Sequence, residues 1–200
     1  MLSEKLKSHI SHSIAAAEAN KAKGNRHIDI LSSLYSDPSR FIEELLQNAD
    51  DACIRRNNKN SGNAKFLLKN NTLHFFHDGE IFNEDDLISI TTIGNSTKQN
   101  YTDVNMIGKF GLGFKSVFAV CNQPQIHSGK YHFKITDFEV LQPIEKINIQ
   151  KYDTAIILPL KNETNILEIV KNALESISFK DILFTQVIKN IDVSIDDKNY

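Results

Sequence analysis

Apolar residues recur at helical spacing in three parts of the chain and predict its principal helices. Residues 3 to 22 form an alanine-rich amphipathic segment that ends near Gly24, and residues 165 to 176 form a shorter amphipathic segment. A third helix is predicted from Asp37, an N-cap acceptor followed by proline at the first helical position, to about Asn58. Its buried stripe is predicted to contain Phe41, Leu45, Ala49, Ala52 and Cys53.

Short apolar runs bounded by turn residues predict the strands. Residues 64 to 69 and 72 to 77 form one predicted hairpin that turns at Asn70-Asn71, and residues 124 to 135 form a second that turns at Ser128-Gly129. Further strands are predicted at residues 146 to 150, 154 to 160 and 189 to 196. Together these elements predict an α+β fold, a two-layer α/β sandwich whose mixed, mostly antiparallel sheet carries its helices on one face.

Composition narrows the class of protein further. The 200 residues are 40% hydrophobic with a formal net charge of −2, which suits one sizeable core and gives no electrostatic footprint for nucleic acid or an anionic membrane. Cys53 and Cys121 lie in apolar contexts and are interpreted as buried thiols. With no membrane-spanning apolar run and a polar N-terminus, the sequence predicts a cytoplasmic protein. We expect a helical segment at residues 1 to 24 and one domain at residues 25 to 200, belonging to a longer protein.

A glycine-rich stretch is the most informative motif. Gly108, Gly111 and Gly113 fall within six residues, and an apolar helical run follows at residues 117 to 120. Glycine lets the backbone approach a ligand closely, and a helix N-terminus suits a phosphate. The GxxGxG spacing matches neither the dinucleotide motif nor the P-loop. By itself it leaves two interpretations open, a phosphate cradle or a tight structural turn.

The predicted helix at residues 37 to 58 carries a polar edge beside its apolar stripe. Glu44, Asn48 and Asp51 are spaced i, i+4 and i+7, so their side chains lie in one row. Carboxylate and amide oxygens suit Mg²⁺, with substrate phosphates completing its octahedron. The alternative is a solvated polar face, which is the commoner role for such a row on an arbitrary helix.

These segments, in their order from about residue 37 to residue 160, resemble the GHKL (Bergerat-fold) ATPase superfamily, which includes the ninety-kilodalton heat-shock chaperones, MutL, type II topoisomerases and histidine kinases. Residues 44 to 52 resemble its N-box, residues 77 to 79 its DxG motif, residues 94 to 98 the start of its ATP lid, and residues 108 to 113 its second glycine box. The QNADDA, HDGxxF and IGKFGxGFKSVF series is similar to that of sacsin-type and related bacterial ATP-binding proteins.

The resemblance implies ATP and Mg²⁺ as ligands. It implies that Asn48 coordinates the metal, that Glu44 orients or activates the attacking water, and that Lys98 in the lid reaches a phosphate. The backbone of residues 110 to 114 would hold the triphosphate, and Thr154 would help to bind the adenine end. The implied nucleotide-binding residues are Asn48, Asp51, Ala52, His77, Asp78, Gly79, Phe82, Lys98, Gly108, Phe110, Gly111, Leu112, Gly113, Phe114 and Thr154.

Several of these residues have a simpler alternative role. Lys98 and Lys115 could be surface charges, and Thr154 could be present for its β propensity. Glu43 competes with Glu44 for the role of base, although it lies one residue off the row that contains Asn48.

The sequence departs from the superfamily pattern at the base pocket. Members of the superfamily carry an aspartate two residues before the DxG glycine, where it accepts a hydrogen bond from the adenine amino group. Here His77 stands at that place before Gly79, and Asp78 comes one residue late. Either a β-bulge turns Asp78 inward, or His77 accepts from the base through a ring nitrogen. We favour Asp78, because a carboxylate is the acceptor that the superfamily uses.

The function implied is slow Mg²⁺-dependent ATP hydrolysis, coupled to closure of a lid at residues 94 to 105 and to homodimerisation. Such a domain would act as a switch for downstream domains of the same chain. The alternatives are a nucleotide-binding module without hydrolysis and, less favoured, a histidine-kinase-type or MutL-type ATPase. The kinase alternative is disfavoured by Glu44, and the MutL alternative by the absence of a basic surface.

Overall fold

The computed structural model describes residues 2–22, 40–56, 62–92, 113–149, 151–177, 185–196 and 198–199. The helices and strands follow one another as α1 (Glu4–Ala22), α2 (Arg40–Arg55), β1 (Gly62–Lys69), β2 (Thr72–His77), α3 (Glu84–Thr91), a 3₁₀ helix (Phe114–Ala119), β3 (Gln125–Ser128), β4 (Tyr131–Thr136), β5 (Val140–Pro143), β6 (Thr154–Pro159), α4 (Ile166–Glu175), β7 (Ile188–Ile195) and β8 (Lys198–Asn199).

The eight strands form one sheet in the order β5-β4-β3-β6-β2-β1-β7-β8. The β1–β7 pair is parallel, and every other neighbouring pair is antiparallel. Alternate residues of β1 and β2, such as Phe66 and Phe75, are fully buried and pack in one core with Phe41 and Leu45 of α2. The predicted α+β sandwich with a mixed, mostly antiparallel sheet is confirmed.

The two predicted hairpins are present. Asn70 and Asn71 have φ values of 51° and 55°, the left-handed pair that a two-residue type I′ turn requires. The second hairpin turns at Gly129 and Lys130, one residue later than predicted, and Gly129 supplies the positive φ of 55°. In both hairpins, residues that tolerate left-handed backbone set the register of the strands.

The strand predicted at residues 146 to 150 is wrong over residues 146 to 149, which form no strand. Ile147, an apolar residue of this segment, is 38% exposed. The chain instead turns earlier, at Asp137 and Phe138, whose φ values are 50° and 67°. That turn brings residues 140–143 back onto β4 as β5, so β4 already has its partner before residue 146 is reached.

Helix α1 packs on its own domain, against α3 and β5. Leu6 is fully buried, Ser3 Oγ donates to Glu84 Oε2 at 2.5 Å, and His9 Nε2 lies 2.7 Å from Thr91 Oγ1. No helix among the described residues is both long and apolar enough to cross a bilayer.

Lys115 is fully buried, so its interpretation as a surface charge is wrong. Its Nζ donates to the carbonyl oxygens of Ile90 at 2.9 Å and Phe138 at 2.8 Å. Burial lowers the pKa of Lys115 to about 8, against the opposing effect of the nearby Glu139 carboxylate. The ammonium group therefore joins the end of α3 to the β4–β5 turn beneath the 3₁₀ helix.

Candidate functional site

A cavity of about 210 Å³ lies between α2, α3 and the start of the 3₁₀ helix, above one end of the sheet. One wall is the polar edge of α2, and the floor is formed by inward-facing residues of β2 and β6. The lining residues are Glu44, Leu45, Gln47, Asn48, Ala49, Asp51, Ala52, Arg55, Phe75, His77, Phe82, Asp86, Ser89, Ile90, Gly113, Phe114 and Ile156.

The predicted row on α2 faces this cavity. Glu44, Asn48 and Asp51 all line it, while the apolar stripe of the same helix is buried on the sheet side. Burial and the neighbouring Asp50 raise the pKa of Asp51, and Arg55 opposes the shift. Glu43 is exposed and is not a lining residue, whereas Glu44 is half-buried. Helical periodicity thus places Glu44, rather than Glu43, where it can meet a ligand.

Gly113 lies directly against the carboxylate of Glu44. A Cβ added to this glycine would stand 2.0 Å from Glu44 Oε2 and 2.9 Å from Cδ. Its φ of −58° and ψ of −45° are ordinary for any residue. The glycine is therefore required by close approach and not by backbone conformation.

We expect Gly113→Ala to displace the Glu44 carboxylate and to lower any turnover that depends on it about tenfold or more, since small misplacements of a catalytic group are costly. The free energy of unfolding should change by less than about 1 kcal/mol, because the clash is with the end of a flexible side chain. Steady-state phosphate release and chemical denaturation measure the two effects. Unchanged turnover would show that the position of this carboxylate does not matter.

The end of β2 is fastened to α2 through a second glycine. A Cβ on Gly79 would lie 2.7 Å from Ala52 Cβ and 2.8 Å from the backbone nitrogen of Cys53. The Glu80 N–H also donates to the Ala52 carbonyl at 2.9 Å. Gly79 and Ala52, both predicted site residues, hold two cavity walls together here, although only Ala52 lines the cavity.

Three polar residues lie side by side across the floor strands. His77 of β2 pairs with Thr154 of β6, and Thr154 pairs with Ser128 of β3, so their side chains share the inner face. Ser128 Oγ and Thr154 Oγ1 are 2.6 Å apart, and the Phe82 N–H donates to Ser128 Oγ at 2.9 Å. Thr154 is fully buried beside His77 without lining the cavity itself.

Asp78 does not turn into the cavity. Its carboxylate accepts hydrogen bonds from the Asn63 backbone N–H at 2.8 Å and from Asn63 Nδ2 at 2.5 Å. The pairing of β2 with β1 and β6 runs without a shift to His77, so β2 has no bulge. Asp78 follows the end of β2, and its Oδ1 also accepts from Cys53 Sγ of α2 at 3.7 Å. The preference for Asp78 as the inward-facing residue is therefore corrected.

His77 is the residue at this place that lines the cavity, and it is only 3% exposed. Its Nδ1 accepts the Gly79 backbone N–H at 3.1 Å. Burial lowers the pKa of His77 to about 4; the nearby Asp78 and Asp153 carboxylates raise it, and Arg55 adds to the lowering. The imidazole is therefore neutral near pH 7, and its Nδ1 is already used as an acceptor.

Two charged lining residues, Arg55 and Asp86, lie outside the predicted set. Arg55 stands four residues after Asp51 on the same edge of α2. Its guanidinium contacts Glu80 at 3.2 Å and Asp86 at 3.4 Å. Extending the i, i+4, i+7 row by one turn would have found Arg55, whereas Asp86 is brought in by the α3 capping box at Asn83.

Asp50 was also missed, and no local pattern indicates its role. This residue is 5% exposed on α2. Its carboxylate accepts three backbone N–H groups, from Gln186, Val187 and Ile188, each at 2.8 Å. It therefore anchors the start of β7 to the helix that carries the site.

Five predicted residues, Lys98, Gly108, Phe110, Gly111 and Leu112, lie outside the described residues, as does the predicted lid at residues 94 to 105. Of the other predicted residues, the structure gathers Glu44, Asn48, Asp51, Ala52, His77, Phe82, Gly113 and Phe114 around the cavity. In the described part of the chain, no group of three or more His, Cys, Asp or Glu side chains is placed to hold a metal ion.

The chain is similar to known proteins over much of its length. Residues 24–154 match the family model described as the sacsin domain. Chaperone protein HtpG of Sulfurovum sp. is 31% identical over a match that covers 76% of this chain and 30% of that protein. Protein NO VEIN of Arabidopsis thaliana is 37% identical over 56% of this chain and 4% of its own length.

Human sacsin is 35% identical over 48% of this chain and 2% of its own length. The chain thus spans less than a third of each of these relatives. The family match covers more than half of the chain, and the resemblance to sacsin-type and HtpG-like proteins is confirmed. The chain belongs to the sacsin-domain family and is similar to the HtpG chaperones.

Proposed function

We propose that this domain binds a nucleoside triphosphate with Mg²⁺, ATP being the nucleotide implied by its family, and hydrolyses it slowly. The observation that carries the proposal is the row formed by Glu44, Asn48 and Asp51, which faces a cavity closed on another side by Gly113. A metal ion needs oxygen ligands such as those of this row, and a phosphate needs backbone that it can approach closely, as at a glycine.

The residues present fit Mg²⁺. The ion prefers oxygen ligands and takes only one or two from the protein when phosphates and water supply the others. Asn48 offers an amide oxygen toward the cavity, flanked on the same edge by the carboxylates of Glu44 and Asp51. When bound, Mg²⁺ would neutralise charge on the phosphates. Asn48 is the proposed protein ligand.

Glu44 is the proposed base. Glu44 is half-buried, and its carboxylate lies against Gly113. This contact restricts the position of the carboxylate, while Glu44 still lines the cavity. A carboxylate held in this way can orient a water molecule and accept its proton as the water attacks the terminal phosphate. Asp51 lies two turns further along the helix edge and is better placed to influence the metal than the water.

The nucleotide cycle is proposed to act as a switch for other parts of a longer protein. The relatives are much longer than this chain, and HtpG is named a chaperone. Homodimerisation on nucleotide binding, control of downstream domains and a cytoplasmic location remain predictions. Size measurement with and without a non-hydrolysable ATP analogue tests dimerisation.

We expect Asn48→Ala to weaken binding of the triphosphate with Mg²⁺ about tenfold, and binding of the diphosphate less, because Asn48 would hold the metal and the more highly charged triphosphate would depend more on Mg²⁺ to neutralise it. Calorimetric titration of ATP and ADP, with Mg²⁺ and with a chelator, measures this difference. Gln47→Ala is the matched control, since Gln47 is an exposed lining residue one position earlier on α2. Equal affinities of wild type and Asn48→Ala for both nucleotides would refute the metal assignment.

A further inference from the structure

Lys115 is a buried charged residue two positions after Gly113, the glycine that lies against the Glu44 carboxylate. Both residues belong to the start of the 3₁₀ helix, where the Gly113 carbonyl oxygen accepts from the Ser116 backbone N–H at 3.0 Å and from Ser116 Oγ at 2.7 Å. Gly113 is therefore held by the same short turn that carries Lys115. A displacement of this turn would move Gly113 relative to Glu44.

The ammonium group of Lys115 connects this turn to another wall of the cavity. Its Nζ donates to the carbonyl oxygen of Ile90, which lines the cavity at the end of α3, while Lys115 itself does not line the cavity. Hydrogen bonds from an ionised donor are stronger than those between neutral groups, and the charge is fully buried. The Lys115 ammonium thus holds α3 and the 3₁₀ helix together from beneath the cavity.

The second acceptor of Lys115 belongs to a strained turn. Phe138, between β4 and β5, has a φ of 67°, a left-handed conformation that is unfavourable for a bulky residue and persists where several contacts enforce it. The Phe138 ring stacks on Phe118 of the 3₁₀ helix with 4.4 Å between the ring centroids, and its carbonyl oxygen accepts from Lys115 Nζ at 2.8 Å. The two contacts fix the turn and the 3₁₀ helix against each other.

Resting on the nucleotide hydrolysis proposed above, we propose that Lys115 is a positioning residue whose charge holds the start of the 3₁₀ helix, so that Gly113 keeps the Glu44 carboxylate where it can activate water. Catalysis depends steeply on the position of a base. Binding of a nucleotide draws on contacts across the whole cavity. Loss of the charge on Lys115 is therefore expected to lower turnover more than nucleotide affinity.

A pH series on the wild-type protein tests the charge without any substitution. Burial lowers the pKa of Lys115 to about 8, and the Glu139 carboxylate opposes the shift. His9 of α1, which also interacts with Lys115, has its own pKa lowered by burial and stays neutral above pH 7. Between pH 7 and 9 Lys115 changes from mostly charged to mostly neutral, so turnover at saturating ATP is expected to fall about tenfold. Affinity measured by calorimetry should stay within about threefold.

Unfolding does not explain such a fall in turnover. The unfolded chain binds the proton of Lys115 more tightly than the folded protein does, because the ordinary pKa of lysine is 10.5. Deprotonation of this group above pH 8 therefore raises the free energy of unfolding. Circular dichroism over the same pH range should show that the fold is retained while turnover falls.

Lys115→Met removes the charge and should lower turnover at pH 7 about tenfold, with affinity within about threefold and no remaining dependence on pH between 7 and 9. Lys189→Met is the matched control. Lys189 Nζ also donates to a backbone carbonyl, that of Gln186 at 3.0 Å, but Lys189 is exposed and does not line the cavity. This variant should keep the turnover and the pH profile of the wild type.

Carbon-13 NMR of Gly113 gives a measurement that needs no nucleotide. Its Cα shift should titrate near pH 8 in the wild type and should not titrate in Lys189→Met's counterpart at the site, a folded Lys115→Met variant. If ATP is hydrolysed at the same rate from pH 7 to 9, the inference is wrong while the proposed function stands. If no nucleotide binds or turns over, the proposed function fails, and the Gly113 titration alone decides whether Lys115 positions this glycine. A Gly113 shift that does not titrate in the wild type would overturn the inference.

Discussion

Glu44→Ala is expected to lower the turnover of ATP or its analogue by at least about 10², the usual scale for a positioned general base. Nucleotide affinity should stay within a few-fold, because Glu44 is assigned to the water and Asn48 to the metal. Phosphate release under saturating nucleotide measures turnover, and calorimetry measures affinity. We expect turnover and affinity to be affected separately because Glu44 and Asn48 line the cavity at different positions along the edge of α2.

Glu43→Ala is the matched control. Glu43 is an exposed carboxylate one position away on the same helix and does not line the cavity. It should leave turnover within about twofold, since exposed side chains away from the reacting atoms rarely matter. If Glu43→Ala lost turnover and Glu44→Ala kept full activity, Glu43 would be the general base in place of Glu44. If the wild-type domain binds nucleotide but shows no turnover, the alternative of a binding module without hydrolysis is supported.

Asp50→Ala is expected to cost about 3–5 kcal/mol of unfolding free energy, a large part of the roughly 5–15 kcal/mol that is typical of a folded domain. Three backbone N–H groups at the start of β7 would lose their acceptor in one substitution, and one of these three bonds is fully buried. Each unsatisfied buried donor costs about 1–3 kcal/mol. Urea denaturation followed by circular dichroism measures the loss.

Asp51→Ala provides the comparison, because Asp51 is the adjacent carboxylate on the exposed side of α2. Its unfolding free energy should change by no more than about 0.5 kcal/mol, while Mg²⁺-dependent binding weakens. Equal destabilisation by the two variants would show that the loss arises from charge on α2 and not from the anchor of β7.

The two adjacent aspartates of the QNADDA motif illustrate what local pattern can reveal. Periodicity places Asp51 on the cavity edge with Glu44 and Asn48, and the structure agrees. The anchoring role of Asp50 depends on a strand 136 to 138 positions later in the chain. Nothing near Asp50 in the sequence specifies that partner.

Local sequence is similarly insufficient to predict which residue faces the cavity at the end of β2. Strand periodicity predicts that His77 and Asp78 face opposite sides, and the choice between them depended on whether the strand bulges. That choice was made by the register of β2 against β1 and β6, which runs unshifted to His77. The hydrogen bond that His77 Nδ1 accepts likewise depends on the path of the backbone at Gly79.

By itself the sequence determined α1, α2 and α4, the first hairpin, the α+β class and the polar edge of α2, because periodicity and turn residues act over a few positions. Tertiary structure decided the partner of Asp50, the contact of Gly113 with Glu44, the burial of Lys115 and the position of His77 in the cavity wall. Each of these depends on groups brought together by sheet register and helix packing, for which neighbouring residues in the chain carry no signal.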